Sequence, residues 1–485
     1  MQLYGENQKE REVIYMFDFL KQKGINKEEI AKMLKTTPEA LKDFEDAYKT
    51  YALSDTISDN LFEINAKQVA SMNEGVISDN PEIESIIRRI VNELVAQTAV
   101  WEYDGKKGEM KTSLVDKPNN PVSLDEINAL PEHIRPQLTG TLMKRDIGEP
   151  SYFILLDNYR HYLNEKNIEK RRHWYHLFRQ GLDILDLDPI TYEIIGTNPN
   201  SMGYWLPVII DAITEQGFFK IPKTTIIKVP LTMLQLTRNE YTQLTRTTLD
   251  IIDEFCKKVF GLDENKEYFI KTGTYSSKFD FRNACVKGAK EVRELGEYLL
   301  FIHFQACMMA SPLNNRTVYG VSTTNEWVVR EFIPDKEENP CIYKGLPLHT
   351  EYRVFVDFDT KQVIGINPYW DPNVMKQRFG HEEDADNPHN KHDYITYLMH
   401  EDVLMNRYNE NKETVLNHVN EFIQNVDGLT GQWSVDIMQN GDEFWLIDMA
   451  MAQNSALIEC VPKELRRKSE ENWLPEIKEL IDNQK

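Results

Sequence analysis

Apolar and polar positions repeat with a helical period in the first third of this chain and with a strand period towards its end. Arg11 to Lys23 predicts an amphipathic helix stopped by Gly24. Asn26 caps a second helix over Lys27 to Leu34, and Thr36-Thr37-Pro38 opens a third. The run Ile25 to Phe44 has the outline of a helix-turn-helix unit, but its acidic surroundings (Glu39, Asp43, Glu45, Asp46) favour a structural or protein-contact role over DNA reading. Another amphipathic helix is predicted over Glu82 to Thr98, and the polar stretch Lys106 to Val122 predicts a linker.

Beyond residue 150 helices alternate with strands. Helices are predicted over Tyr152–Tyr162, Glu169–Leu182, Trp205–Gln216 and Leu244–Phe260, with strands over Ile190–Gly196 and Thr224–Pro230. Then come strands at Glu267–Lys271, Glu326–Ile333, Glu351–Asp357 and Gln362–Trp370, and helices at Asn283–Gln305 and Glu413–Asn425. A hairpin around Asn440-Gly441 follows, and Arg466–Asp482 predicts a closing helix. This order predicts an α/β (α+β) fold in three parts: a helical domain over 1–150, an α/β region over 151–230 and a strand-rich region over 231–485.

Composition changes the picture in two places. A net charge of -22 disfavours nucleic acid and anionic membrane as partners, so any polyanionic ligand needs a local cluster of cations. The five cysteines show no metal or disulfide spacing, which fits reduced thiols. No run reaches the roughly 18 apolar residues of a membrane span, so a soluble, cytoplasmic protein is expected, with no DNA and no membrane among its partners.

The informative residues are charges inside apolar strands, which need a partner or a ligand. Lys271 ends a strand and precedes the hydroxyl-rich loop Thr272 to Lys278, a combination suited to phosphate. Arg330 and Arg353 lie in the next two strands, and Asp436 and Asp448 in the two arms of the hairpin. On its own, each is most simply a paired charge on a sheet face. Together they suggest an anion site with a metal. The histidines His381, His389 and His392 among acidic residues fit no metal spacing and are expected in a mobile loop over Phe379–Asp393.

In this order the pieces resemble the ATP-grasp superfamily over about residues 220 to 460. They are most similar to the divergent branch that includes a eukaryotic cell-division-cycle protein assisting assembly of a translation initiation factor. Lys271 with Ser276-Ser277-Lys278-Phe279-Asp280 is similar to that branch's strand-ending lysine and Ser-Ser-Pro-Lys-Asp loop, without the proline. Val329-Arg330-Glu331-Phe332-Ile333, Glu351-Tyr352-Arg353, Val435-Asp436-Ile437 and Leu446-Ile447-Asp448 are similar to its later strands.

The resemblance implies a two-lobed fold with ATP between the lobes. It places the base at the hinge Glu331, Phe332 and Ile333, and the phosphates at Lys271, Ser276, Ser277 and Lys278. Arg330 and Arg353 become catalytic, and Mg²⁺ sits on Asp436 and Asp448. The branch's metal-binding Asn is Ala450 here, with Gln453 and Asn454 as the nearest replacements. The implied activity is an ATP-dependent ligase that activates a carboxylate as an acyl-phosphate for attack by an amine or another nucleophile, proteins included. The alternatives are an ATP-dependent assembly factor without ligase turnover and a phosphotransferase. For the hairpin, a three-residue loop pairing Gln439 with Glu443 and Asp436 with Leu446, or an equivalent one-residue bulge, is expected to bring both aspartates to one face.

Overall fold

A computed structural model describes residues 24, 26–33, 37–43, 80–105, 109–111, 122–137, 157–162, 164–185, 192, 195–237, 244–308, 323–379 and 388–467. The helix predicted over Arg11–Lys23, the loop residues His381 to Asp386 and all but the start of the closing helix lie outside these.

The strands are β1 (Val100–Tyr103), β2 (Glu109–Lys111), β3 (Phe219–Lys220), β4 (Thr224–Lys228), β5 (Glu267–Thr272), β6 (Cys285–Lys287) and β7 (Glu326–Glu331). They continue with β8 (Cys341–Ile342), β9 (Leu346–Pro347), β10 (Glu351–Asp357), β11 (Gln362–Pro368), β12 (Gln432–Asn440) and β13 (Glu443–Met451). An antiparallel six-stranded sheet has the order β2-β1-β4-β7-β5-β6. A five-stranded sheet has the order β11-β10-β12-β13-β3, antiparallel except for β13 with β3. Segregated helices on largely antiparallel sheets make this an α+β fold. Among the described residues no helix is long and apolar enough to cross a membrane, and all five cysteines are free.

The helices form where caps and apolar stripes agree. Asn80 accepts the Glu82 N–H at 3.0 Å and Pro81 opens the helix Pro81–Ala96. Its buried Ile83, Ile86, Ile90 and Leu94 pack against the helix Arg246–Phe260, which is capped by Thr245. Near the start of the chain, Asn26 and Glu29 close a capping box on the helix Lys27–Met33, as its sequence leads one to expect.

Four expectations are corrected. Residues 80–137 do not form part of a separate helical domain. β1 pairs with β4, and the side chains of Ile83 to Ile134 share one core with Leu249 and Val329, because an amphipathic helix and a two-strand ribbon cannot bury their apolar faces alone. Residues 192, 195 and 196 are helical where a strand was expected, since a short apolar run carries no period of its own. The helix over Asn283–Gln305 is broken by β6, whose buried Cys285 and Val286 complete the edge of the sheet beside β5. The helix expected from Glu413 reaches back to Pro388. It therefore carries His392 and Asp393 into the interior, where the Asp393 carboxylate accepts the Tyr343 N–H at 2.9 Å.

The hairpin lacks the three-residue loop but has a one-residue bulge, the expected alternative. The loop is two residues, Gly441 and Asp442, with Asn440 opposite Glu443 and Ile437 opposite Leu446. Gly441 takes the left-handed φ of 63° that the turn requires. A bulge at Ile447 then shifts the register, so that Asp436 lies opposite Asp448. The two carboxylates do share a face. However, Leu446 joins Val435 and Ile437 in the core, and Trp445 lies on the other face beside Met438.

Candidate functional site: a cation-lined cavity between the sheets

The two sheets meet around a cavity of about 300 Å³, within the usual range for small-ligand sites. Ten of the twelve residues singled out from the sequence line it: Lys271, Ser276, Lys278, Arg330, Glu331, Phe332, Ile333, Arg353, Asp436 and Asp448. Ser277 is buried behind the wall, its carbonyl accepting the Asp280 N–H at 3.0 Å. Asn454 lies outside, in the short turn Ala452–Asn454, where it accepts a hydrogen bond from Asn200 at 3.2 Å.

Lys271 is 2% exposed at the end of β5, and its ammonium donates to the Asp448 Oδ2 at 2.8 Å. The loop after it folds locally, because the Thr272 hydroxyl accepts the Tyr275 N–H at 2.9 Å and the Thr272 N–H donates to the Tyr275 carbonyl. Gly273 is required there. A Cβ would stand 2.2 Å from the Ser201 hydroxyl oxygen and 2.7 Å from the Glu326 carboxylate. Farther along, the Lys278 ammonium donates to the Tyr369 hydroxyl and sits 4.2 Å from that ring's centre. Burial pulls the Lys278 pKa down to about 8, with Glu351 opposing, and burial pushes Glu351 up to about 7.

Arg353 projects from β10 beside Asp436 on β12. Its Nε and Nη2 donate to the two carboxylate oxygens at 2.8 and 2.6 Å, a bidentate fork, and its guanidinium lies 4.6 Å from the Tyr369 ring centre. Arg330 is 4% exposed. Its Nε donates to the Thr224 hydroxyl at 3.1 Å and its Nη1 to the Ile447 carbonyl at 2.5 Å, while its buried Nη2 has no partner among the described residues. Burial lowers the Arg330 pKa to about 10, with Asp448 opposing. The bulge at Ile447 thus does two things: it aligns the aspartates and it offers a carbonyl to Arg330.

Where β7 ends, the Glu331 N–H donates to the Lys223 carbonyl at 2.9 Å and the Phe332 N–H to the Glu267 carbonyl at 3.0 Å. The Ile333 N–H has no partner among the described residues. Phe269, Phe281, Phe332 and Met438 make this end of the cavity apolar.

Sequence reasoning missed Glu351, Tyr369 and Trp370 in the wall. Strand alternation did place Glu351 on the face of Arg353, and that was the available signal. Another acidic group, Asp335, Glu337 and His349, has ligand atoms within 4.8 Å of one another. Asp335 already accepts the Asn339 N–H at 2.7 Å, and Glu337 pairs with Arg407 at 3.3 Å, so the group works as an internal staple.

These features define an α+β protein with a cavity between its sheets lined by four cations and four carboxylates. No protein-family model matches the chain, and no curated protein matches it. Among solved structures it is similar to Cdc123 from Schizosaccharomyces pombe, at 16% identity and a TM-score of 0.32, covering 57% of this chain and 96% of that one. The C-terminally truncated form of Cdc123 matches at the same identity and score, over 56% of this chain and 94% of that one. A score of 0.32 establishes neither family nor function.

Proposed function

We propose that the protein binds ATP in the inter-sheet cavity and acts as an ATP-dependent assembly factor on a protein client. The observation that carries the nucleotide reading is the buried Nη2 of Arg330, which has no partner among the described residues. An orphaned guanidinium N–H costs free energy unless an acceptor arrives, and an anionic oxygen is the best acceptor for it. The rest of the wall suits the same ligand. Lys271, Lys278 and Arg353 gather further positive charge, the apolar end accepts a base, and the Ile333 N–H offers it a donor. Binding of about micromolar strength, roughly -7 to -8 kcal/mol, is expected.

The preference for an assembly factor over a carboxylate ligase follows from Asp436 and Asp448. Both are engaged by protein cations, and Ala450 stands where the resembled branch has an oxygen donor. Ligation remains the second reading, favoured by the crowding of Arg330, Arg353 and Lys271 around one space. ADP release by the purified chain, with and without hydroxylamine to trap an acyl-phosphate across a panel of carboxylic acids, separates the two. The assembly reading expects ATP binding without ADP release. Steady turnover with hydroxamate formation overturns it in favour of the ligase.

A further inference from the structure

We infer that this cavity takes its nucleoside triphosphate as the free polyanion, with protein cations standing in place of a bound divalent metal. The inference rests on the nucleotide reading above and concerns what neutralises the phosphates. It starts from an account of the oxygens that a metal would need. Both oxygens of Asp436 accept from Arg353, at 2.8 and 2.6 Å. Oδ2 of Asp448 accepts from Lys271 at 2.8 Å, and its Oδ1 accepts the Met449 N–H at 3.0 Å. Asn454 faces Asn200 outside the cavity, and Ala450 supplies no side-chain oxygen. Mg²⁺ demands near-octahedral oxygen coordination at about 2.0–2.1 Å. Here it would have to share those oxygens with a guanidinium fork and an ammonium, each of which repels it.

A phosphate chain faces the opposite situation. The wall holds Lys271, Lys278, Arg330 and Arg353 against Glu331, Glu351, Asp436 and Asp448, with Glu331 paired to Lys266 at 2.7 Å. Two of those carboxylates serve to hold a cation in place, and Arg330 has an N–H with no partner among the described residues. Phosphate oxygens can therefore add to cations already oriented and desolvated. In this arrangement Asp436 is a positioning residue for Arg353, and Asp448 is one for Lys271.

Calorimetric titration of the full chain with ATP, once in excess Mg²⁺ and once in EDTA, tests the inference. The two Kd values are expected to differ by less than about fivefold. A weakening of about fivefold or more on metal removal overturns it. Asp436→Asn, checked for folding by circular dichroism, is expected to weaken ATP by the same factor in both media, since it loosens Arg353. A loss confined to the Mg²⁺ medium makes Asp436 a metal ligand and overturns the assignment. If that variant does not fold, Ala450→Asn replaces it, because it restores the oxygen donor of the resembled branch. No tightening of ATP in Mg²⁺ is expected from it, and a gain of about fivefold or more overturns the inference. Failure of the wild-type chain to bind ATP in either medium is a different result: it removes the nucleotide reading itself, and the inference with it.

Discussion

Asp436 and Asp448 stand directly opposite each other across the β12–β13 ladder, yet they answer to different cations. Arg353, from the neighbouring strand, grips Asp436, while Lys271 reaches Asp448 from the other sheet. Two like charges side by side would repel each other, and the divided pairing removes that cost. It also ties the sheets together at the cavity, a tie reinforced by Arg330 on the Ile447 carbonyl. A ligand that draws on Lys271 and Arg330 therefore acts on the contact between the sheets as well as on the wall.

Lys271→Met is expected to weaken ATP binding while leaving the chain folded. The lost charge-assisted contact corresponds to about 1.5–3 kcal/mol, or roughly 10- to 150-fold in Kd. Asp448, left behind, is about a third exposed and can be solvated, so the cost to folding is small. Titration of the variant beside a thermal melt checks this. A large fall in melting temperature with unchanged ATP affinity would make Lys271 a purely structural residue.

Glu351 gives stability a pH dependence of definite sign. Its carboxyl titrates near 4.5 when unfolded and is pushed up to about 7 when folded, first by burial. Between these values the folded chain holds a proton that the unfolded chain has released. This contribution is fully present below about pH 4.5 and is lost as the pH rises through 7. Glu351→Gln removes the titration. The melting temperature of the variant relative to wild type should therefore climb from pH 4.5 to pH 7, as scanning calorimetry across that window would show. A constant difference would contradict the prediction.

Asn440 does more than open the turn. Fully buried, its side chain donates to the Pro334 carbonyl at 2.8 Å and accepts the Lys336 N–H at 2.9 Å. It thereby anchors the segment that follows β7. Asn440→Ala should destabilise the protein by about 2–3 kcal/mol, because two backbone groups lose their partner. Chemical denaturation measures this, and a change below about 0.5 kcal/mol would show that water replaces both bonds.

Gly273→Ala tests how tightly the loop after Lys271 is set. The added methyl must displace the Ser201 hydroxyl or the Glu326 carboxylate, which are themselves joined by a 2.5 Å hydrogen bond. Overpacking of this kind costs about 1–3 kcal/mol. Because the shift occurs two residues after Lys271, ATP affinity should fall together with stability. An unperturbed melt would mean that the loop gives way without strain.

How far such expectations could be drawn from the chain alone depends on the range of the interactions involved. Strands β7, β10, β12 and β13 were legible because their alternation is written locally. Lys271, Arg330, Arg353, Asp436 and Asp448 were conspicuous because a charge among β-branched and aromatic neighbours must find a partner. Nothing local says which partner. That Arg353 takes Asp436 while Lys271 takes Asp448 depends on strands from two sheets meeting. The same holds for the joining of β1 and β2 to the larger sheet, for the withdrawal of Asn454 to Asn200, and for the shared environment of Lys278 and Glu351. The extra residue at Ile447 was decided in the same way. Hairpin sequence allows several registers of similar local energy, and the choice among them came from packing Leu446 and Ile437 into one core while Arg330 took the bulged carbonyl. Sequence thus determined which residues carry the unusual charges, since burial cost is a property of each strand. Tertiary structure decided how those charges are shared, since pairing energy exists only between elements brought together.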